Sequence, residues 1–174
     1  MLALLVTVVG ATAAERVAEL VLSARHTRSA LAAGGVERGR EHFPAMVALH
    51  AALLVAPVVE VVATDRPFLP WLGWSALTLV LAAQALRWWC IATLGQQWNT
   101  RVIVVPGRPL VTTGPYTRLK HPNYLAVVLE GIALPLVHTA WVTAAGFTLL
   151  NAVLLLRYRI PAEERALAEL AGRA

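Results

Sequence analysis

GPYTRLKHPNYLAVVLE, residues 114–130, passes from a turn through a basic, aromatic stretch into an apolar helix within one short segment. Gly114-Pro115 punctuates the chain. Pro122 stands where a helix tolerates proline best, at its first turn, because the missing N–H would have had no intrahelical partner there. The pattern predicts a helix beginning near His121. Its first turn offers unpaired N–H groups and the positive end of a macrodipole, with Arg118 and Lys120 just upstream, so a small anionic group is welcome between Tyr116, His121 and Tyr124. The same residues also describe an ordinary helix start with interfacial aromatics at a membrane surface, and spacing alone does not separate the two.

Outward from this stretch the chain is strongly apolar. Of its 174 residues 58% are hydrophobic and only 14% charged, and the mean hydropathy is +0.64; a soluble domain is about a quarter charged. The composition therefore predicts a single all-α, polytopic integral membrane domain over residues 1–174. A lone cysteine, Cys90, builds neither a disulfide framework nor a thiolate metal site, and His26 and His42 lack metal-ligand spacing, so no metal is expected. The net charge of +5 is spread over connectors between apolar runs rather than gathered on one face, which argues for orientation in a bilayer and against nucleic acid.

Five stretches approach the roughly 20 apolar residues that a span needs: 2–22, 44–64, 71–95, 122–139 and 141–158. Ala11-Thr12-Ala13 resembles a signal-peptide cleavage site, but no Lys or Arg precedes it, and the first stretch is taken as a span. Glu15, Arg16 and Glu19 lie at its inner half, where ionisable groups face protein rather than lipid. Residues 23–43 read as an aqueous loop. Pro57 kinks the second span, which also holds Glu60 and an interior, satisfied His50. Arg87 snorkels beside the aromatic belt of Trp88 and Trp89, and Val102 to Val105 form a short strand. Lys and Arg number four in 23–43, four in 96–121 and four after 156, against one in 65–70 and none in 139–140. The positive-inside rule then puts the N-terminus outside, and the basic loops and the C-terminus in the cytoplasm. A tight hairpin between the last two spans returns the chain beside residues 114–124, where Pro161, Glu163 and Glu164 open a new amphipathic helix along the surface.

The run G-P-Y-x-x-x-K-H-P-N-Y at Gly114 to Tyr124 resembles a signature of the isoprenylcysteine carboxyl methyltransferase family. Arg159-Ile-Pro-Ala-Glu163-Glu164-Arg-Ala-Leu167 is similar to that family's second signature, R-x-x-x-E-E-x-x-L. The resemblance covers residues 96–170 closely, with Lys120 where many members carry Arg and Ala126 where many carry Gly. It implies a membrane-embedded enzyme that uses S-adenosylmethionine and releases S-adenosylhomocysteine. It places the cofactor against Arg108, Pro109, Leu110 and Val111, against Tyr116, against the His121, Pro122, Asn123, Tyr124 element and against Glu163, with Ile103 where the family has a cofactor-touching glutamine. It gives Arg159 the substrate. Residues 1–95 then supply three N-terminal spans, and residues 96–174 the cofactor-binding and catalytic portion around a cytoplasmic pocket.

Methyl transfer from a sulfonium is an in-line displacement that needs alignment and an ionisable acceptor, and no metal. Helix-start N–H groups and His121 suit the cofactor's carboxylate, a tyrosine suits its sulfonium, and Arg159 grips a carboxylate or phenolate with two donors. Glu130 is either a general base on the acceptor hydroxyl or a structural partner for Arg87 or Arg118. A lipophilic acceptor whose tail stays among membrane lipids is expected. Lys120, Glu130 and the run from Glu15 to His50 are similar to the bacterial branch that O-methylates alkylpyrones and alkylresorcinols. The Ala- and Arg-rich composition suits a bacterial inner membrane. The alternatives are carboxyl methylation of an isoprenylcysteine-like substrate, an NADPH-dependent reductase of the sterol type, and a scaffold. The reductases resemble P-N-Y-x-G-E, whereas this chain continues Pro122-Asn123-Tyr124-Leu125-Ala126-Val127.

Overall fold

A computed structural model describes residues 1–171. Helix α1, Leu2–Ala32, is a single 31-residue helix that stops where Gly34 adopts φ 81° and Gly35 donates back to the Ala30 carbonyl at 2.8 Å. The expected aqueous loop is thus shortened, because Ala, Leu and Arg between positions 24 and 32 favour helix and nothing breaks it before the glycine pair. Strand β1, Val36–Arg38, pairs antiparallel with β2, Val102–Val104, in the register Val36 to Val104 and Arg38 to Val102. The fold is therefore helical with one small ribbon.

Helices α2, Phe43–Ala63, and α3, Pro70–Leu94, follow, with Pro57 inside α2. Then come α4, Pro122–Leu136, and α5, Trp141–Val153. A π-helical turn over Leu154–Arg159 carries α5 directly into α6, Ile160–Ala171. The new helix expected at Pro161 is instead a continuation of α5. Proline cannot donate to the carbonyl four residues back and crowds it, and the wider winding before it absorbs that conflict without a break.

Among the described residues three helical stretches are long and apolar enough to cross a membrane: Arg40–Ala63, Pro70–Gln97 and Trp141–Glu169; α4 is apolar but shorter. Side chains such as Val55, Val62, Leu81, Leu149 and Leu156 point outward, as a lipid-facing surface requires. Inside, α3 packs on α4 and α4 on α5. The second contact is close because of Gly131: a Cβ there would lie 2.1 Å from the Phe147 ring. Small residues at such contacts are how membrane helices gain dispersion energy, since lipid is as apolar as leucine.

On the side away from the ribbon, Glu60 of α2 accepts the backbone N–H of Val142 at 3.1 Å and of Thr143 at 2.7 Å, and the Thr143 hydroxyl at 2.8 Å. A helix start leaves such donors unpaired, so Glu60 caps α5 from a neighbouring helix. The expected tight α4–α5 hairpin is present, with Thr139 at φ 57° and its hydroxyl bonded to the Pro67 carbonyl at 2.6 Å.

Candidate functional site

The chain approaches α4 through a 3₁₀ turn, Gly114–Thr117. Gly114 has φ 56°, and a Cβ on it would stand 2.6 Å from Thr93 Oγ1, so only glycine lets this turn lie against α3. The turn sets the Tyr116 hydroxyl against the Cys90 thiol, and burial pushes the Tyr116 phenol well above its ordinary value.

His121 ends the turn and starts the helix. Its Nδ1 is 3.6 Å from Glu163 Oε1, its Nε2 is 3.4 Å from Glu164 Oε1, and its ring stacks on Tyr124 with centroids 5.4 Å apart. The Tyr124 hydroxyl donates to Glu163 Oε2 and accepts from Arg159 Nε at 3.1 Å. Arg159 Nη2 in turn donates to the Thr100 carbonyl at 2.6 Å. One line of polar groups therefore runs His121, Glu163, Tyr124, Arg159, joining α4 to the helix that continues α5. The Glu163 carboxylate at 3.6 Å holds the His121 imidazole above its ordinary pKa, with Glu164 adding to it. Burial lifts the Glu163 carboxyl, but the His121 ring and the bond from Tyr124 outweigh that and leave it below the usual carboxylate range. Both shifts favour the charged pair.

Sequence reasoning placed His121, Tyr124, Arg159 and Glu163 at the site, and the structure brings them into mutual contact. It missed what holds Arg159. Ser23 Oγ takes the Thr100 amide at 3.1 Å, Asn99 Nδ2 donates to Thr27 Oγ1 at 2.8 Å, and the Asn99 side-chain oxygen accepts from Ser23 and from the Arg101 amide. His26 Nδ1 bonds the Trp98 carbonyl at 2.8 Å. The available signal was the polar stripe at 23, 26 and 27, which shares one helix face; taking 23–43 as loop concealed it.

Arg108 to Val111 lie in the irregular stretch after β2. Pro109 accepts from Gln97 at 3.4 Å, Leu110 is 62% exposed, and among the described residues none of the four hydrogen-bonds the His121 group. Ile103 sits in β2 opposite Glu37, next to Gly35. Glu130 lies deeper on α4, where Arg87 donates to it, so the pairing with Arg87 is formed. Arg87 does not snorkel. It is 4% exposed, because Glu130 and Glu19 offer it acceptors inside the protein.

A zwitterionic cofactor suits this chemistry. His121 and Glu163 present opposite charges, the first turn of α4 has no side-chain cap, and the Asn123 side-chain oxygen is buried without a hydrogen-bond partner, ready to accept from an ammonium or hydroxyl.

Comparison with known proteins gives a family. The family model described as "Isoprenylcysteine carboxyl methyltransferase (ICMT) family" matches residues 76–169, from α3 through α6 and across both motifs. The chain is 38% identical over 156 residues to the uncharacterized protein YpbQ of Bacillus subtilis (strain 168), covering 89% of this chain and 91% of that one. It is 26% identical over 153 residues to an uncharacterized protein of Haemophilus influenzae, covering 87% of each. No solved structure matches.

Proposed function

The chain belongs to the isoprenylcysteine carboxyl methyltransferase family and so is a membrane methyltransferase, and from that premise we propose that it methylates an oxygen of a lipophilic acceptor, with S-adenosylmethionine as donor. The observation that carries this reading is the contact chain from His121 through Glu163 and Tyr124 to Arg159. Bound S-adenosylmethionine supplies a methyl group on a sulfonium and leaves as S-adenosylhomocysteine. His121 and Glu163 hold its amino-acid end, with Asn123 accepting a further donor, and Tyr116 and Tyr124 offer ring faces to the cation. Arg108 to Val111 and Ile103 are assigned to the rest of the cofactor.

Arg159 sits on the Tyr124 hydroxyl, to which its Nε donates at 3.1 Å. It lowers the cost of an ionised acceptor oxygen and aims a lone pair along the line of transfer, which is where most of the rate gain in such a displacement arises. The bound cofactor would supply the methyl group, the bonding electron pair leaving on its sulfur, while Arg159 would steady the acceptor oxygen as that oxygen gives up its proton to water. A long-chain alkylpyrone or alkylresorcinol hydroxyl is the proposed acceptor. Carboxyl methylation of an isoprenylcysteine-like substrate is the second reading, favoured by the description of the matched family.

We place the protein in a bacterial inner membrane with five spans, α1 and α4 included, and with this site facing the cytoplasm, in keeping with the basic residues at the end of α1, on residues 33–42 and on connector 96–121. Titration calorimetry tests the cofactor. S-adenosylmethionine is expected to bind and NADPH not to, and His121→Ala or Glu163→Ala is expected to weaken binding at least tenfold, about 1.4 kcal/mol. Unchanged affinity in both folded variants removes the assignment.

A further inference from the structure

A second polar constellation lies away from the His121 group, between α1, α3 and α4. Arg16 donates to Glu19 at 2.7 Å and to the Gln84 side-chain oxygen at 3.0 Å, and its Nη2 stands 3.6 Å from Glu130. Arg87 donates to the same Glu130 oxygen. Glu19, Gln84, Arg87 and Glu130 are each more than nine-tenths buried. The pairs balance in charge but not in hydrogen bonding, since guanidinium groups donate and never accept. Arg16 Nε, Arg87 Nε and Gln84 Nε2 are buried without a hydrogen-bond partner, as is Glu19 Oε1, which lies 3.7 Å from Arg87 Nε. Three of these four orphans are donors. A group of unpaired donors in a low-dielectric interior is unfavourable unless something accepts from it.

Its position says what that something is. Arg87 is one helical turn from Cys90, whose thiol meets Tyr116, and Glu130 is six residues beyond Tyr124, about 9 Å along α4. The cluster therefore continues the line of polar groups from the His121 site into the bilayer. α1 packs its backbone on α2 and crosses to α3 and α4 at this level through long side chains, Arg16 to Gln84 and Glu130, and Glu15 to Trp88. Arg16, at the edge, keeps 14% of its side chain exposed while its partners are sealed.

We propose that Arg16, Gln84 and Arg87 form a donor-rich subsite for a second oxygen on the acceptor's head group, the oxygen that is not methylated. This rests on the methyl-transfer reading above and deepens it: the preferred acceptor carries two oxygens on one ring, with its chain running out into lipid. Glu19 and Glu130 hold the two guanidinium groups in place.

The test uses the full-length protein in lipid nanodiscs, with 5-pentadecylresorcinol and 3-pentadecylphenol as acceptors and cofactor binding measured separately. The native chain is expected to favour the diol at least about tenfold in kcat/KM, the discrimination that an unpaired buried donor imposes. Gln84→Met keeps the ion pairs and removes the amide. Gln84→Glu keeps the acceptor for Arg16 and removes only the donors, and serves if the first variant folds poorly. Either is expected to bring the preference to within about twofold while S-adenosylmethionine affinity holds. A native enzyme that treats the two acceptors alike, or variants that keep the full preference, overturn the subsite. Cofactor binding with neither acceptor methylated sinks the acceptor class on which it rests, and loss of native cofactor binding sinks the methyl-transfer reading itself.

Discussion

Replacing Arg159 with lysine isolates the part that geometry plays at the site. The guanidinium makes two directed bonds at once, Nε to the Tyr124 hydroxyl at 3.1 Å and Nη2 to the Thr100 carbonyl at 2.6 Å, and it is only 7% exposed. An ammonium has the charge but a single nitrogen, so it satisfies one of these partners and leaves the other, or the acceptor oxygen, without its donor. One hydrogen bond to a charged group is worth about 1.5–3 kcal/mol where water is excluded. At 1.4 kcal/mol per factor of ten, Arg159→Lys lowers turnover by roughly 10- to 100-fold. With the cofactor proposed to rest on His121 and Glu163, its affinity is expected to hold within about twofold. Single-turnover transfer of labelled methyl, at saturating cofactor, measures the first quantity and calorimetry the second. A variant that transfers at the native rate but binds the cofactor poorly refutes the division of labour.

The His121–Glu163 pair gives a pH signature. His121 is raised above its ordinary 6.5, so its contribution is complete below that value and is lost as pH rises through the raised pKa. Glu163 is lowered below its ordinary 4.5, so its contribution is present above that value and is lost as pH falls through the lowered pKa. Thermal stability relative to His121→Gln is therefore greatest between about pH 4.5 and 6.5; a difference flat with pH contradicts the pairing. Glu60→Gln weakens the cap on α5 and is expected to cost about 1–2 kcal/mol, seen as a lowered melting temperature with cofactor affinity unchanged; an unaltered melting temperature shows the cap to be idle. Cysteines placed at Gly34, Pro67 and Gly107 in a Cys90→Ser background are expected to label Gly34 and Gly107 from the side of the C-terminus and Pro67 from the other. Labelling of Gly107 opposite the C-terminus refutes the five-span arrangement.

Much of this site was legible because its residues are adjacent in sequence. Gly114, Pro122 and the stretch between them have only one economical backbone path, and the hairpin after α4 has to bring Arg159 and Glu163 back beside it. Apolar length likewise revealed α2, α3 and α5. What stayed hidden depends on lateral pairing. Nothing in Ser23 or Thr27 announces Asn99 as partner, and Val36-Glu37-Arg38 is too short to show a strand's alternation. Arg87 was misplaced for the same reason. A long basic side chain near a span's end snorkels by default, and only knowledge that Glu19 and Glu130 come from two other helices turns it inward.

The π-helical turn has a consequence for where the enzyme works best. Because α5 runs through Leu154–Arg159 into α6 without interruption, the residues proposed to hold acceptor and cofactor ride on the end of a rod whose other part is long and apolar enough to cross a membrane. A thinner or thicker bilayer tilts such a rod at modest cost, a fraction of a kcal/mol for each ångström of mismatch, and Arg159 and Glu163 swing with it against the fixed start of α4. Under the proposed function, acyl-chain length in the host membrane is then expected to alter the rate of methyl transfer, which transfer assays in bilayers of two thicknesses measure.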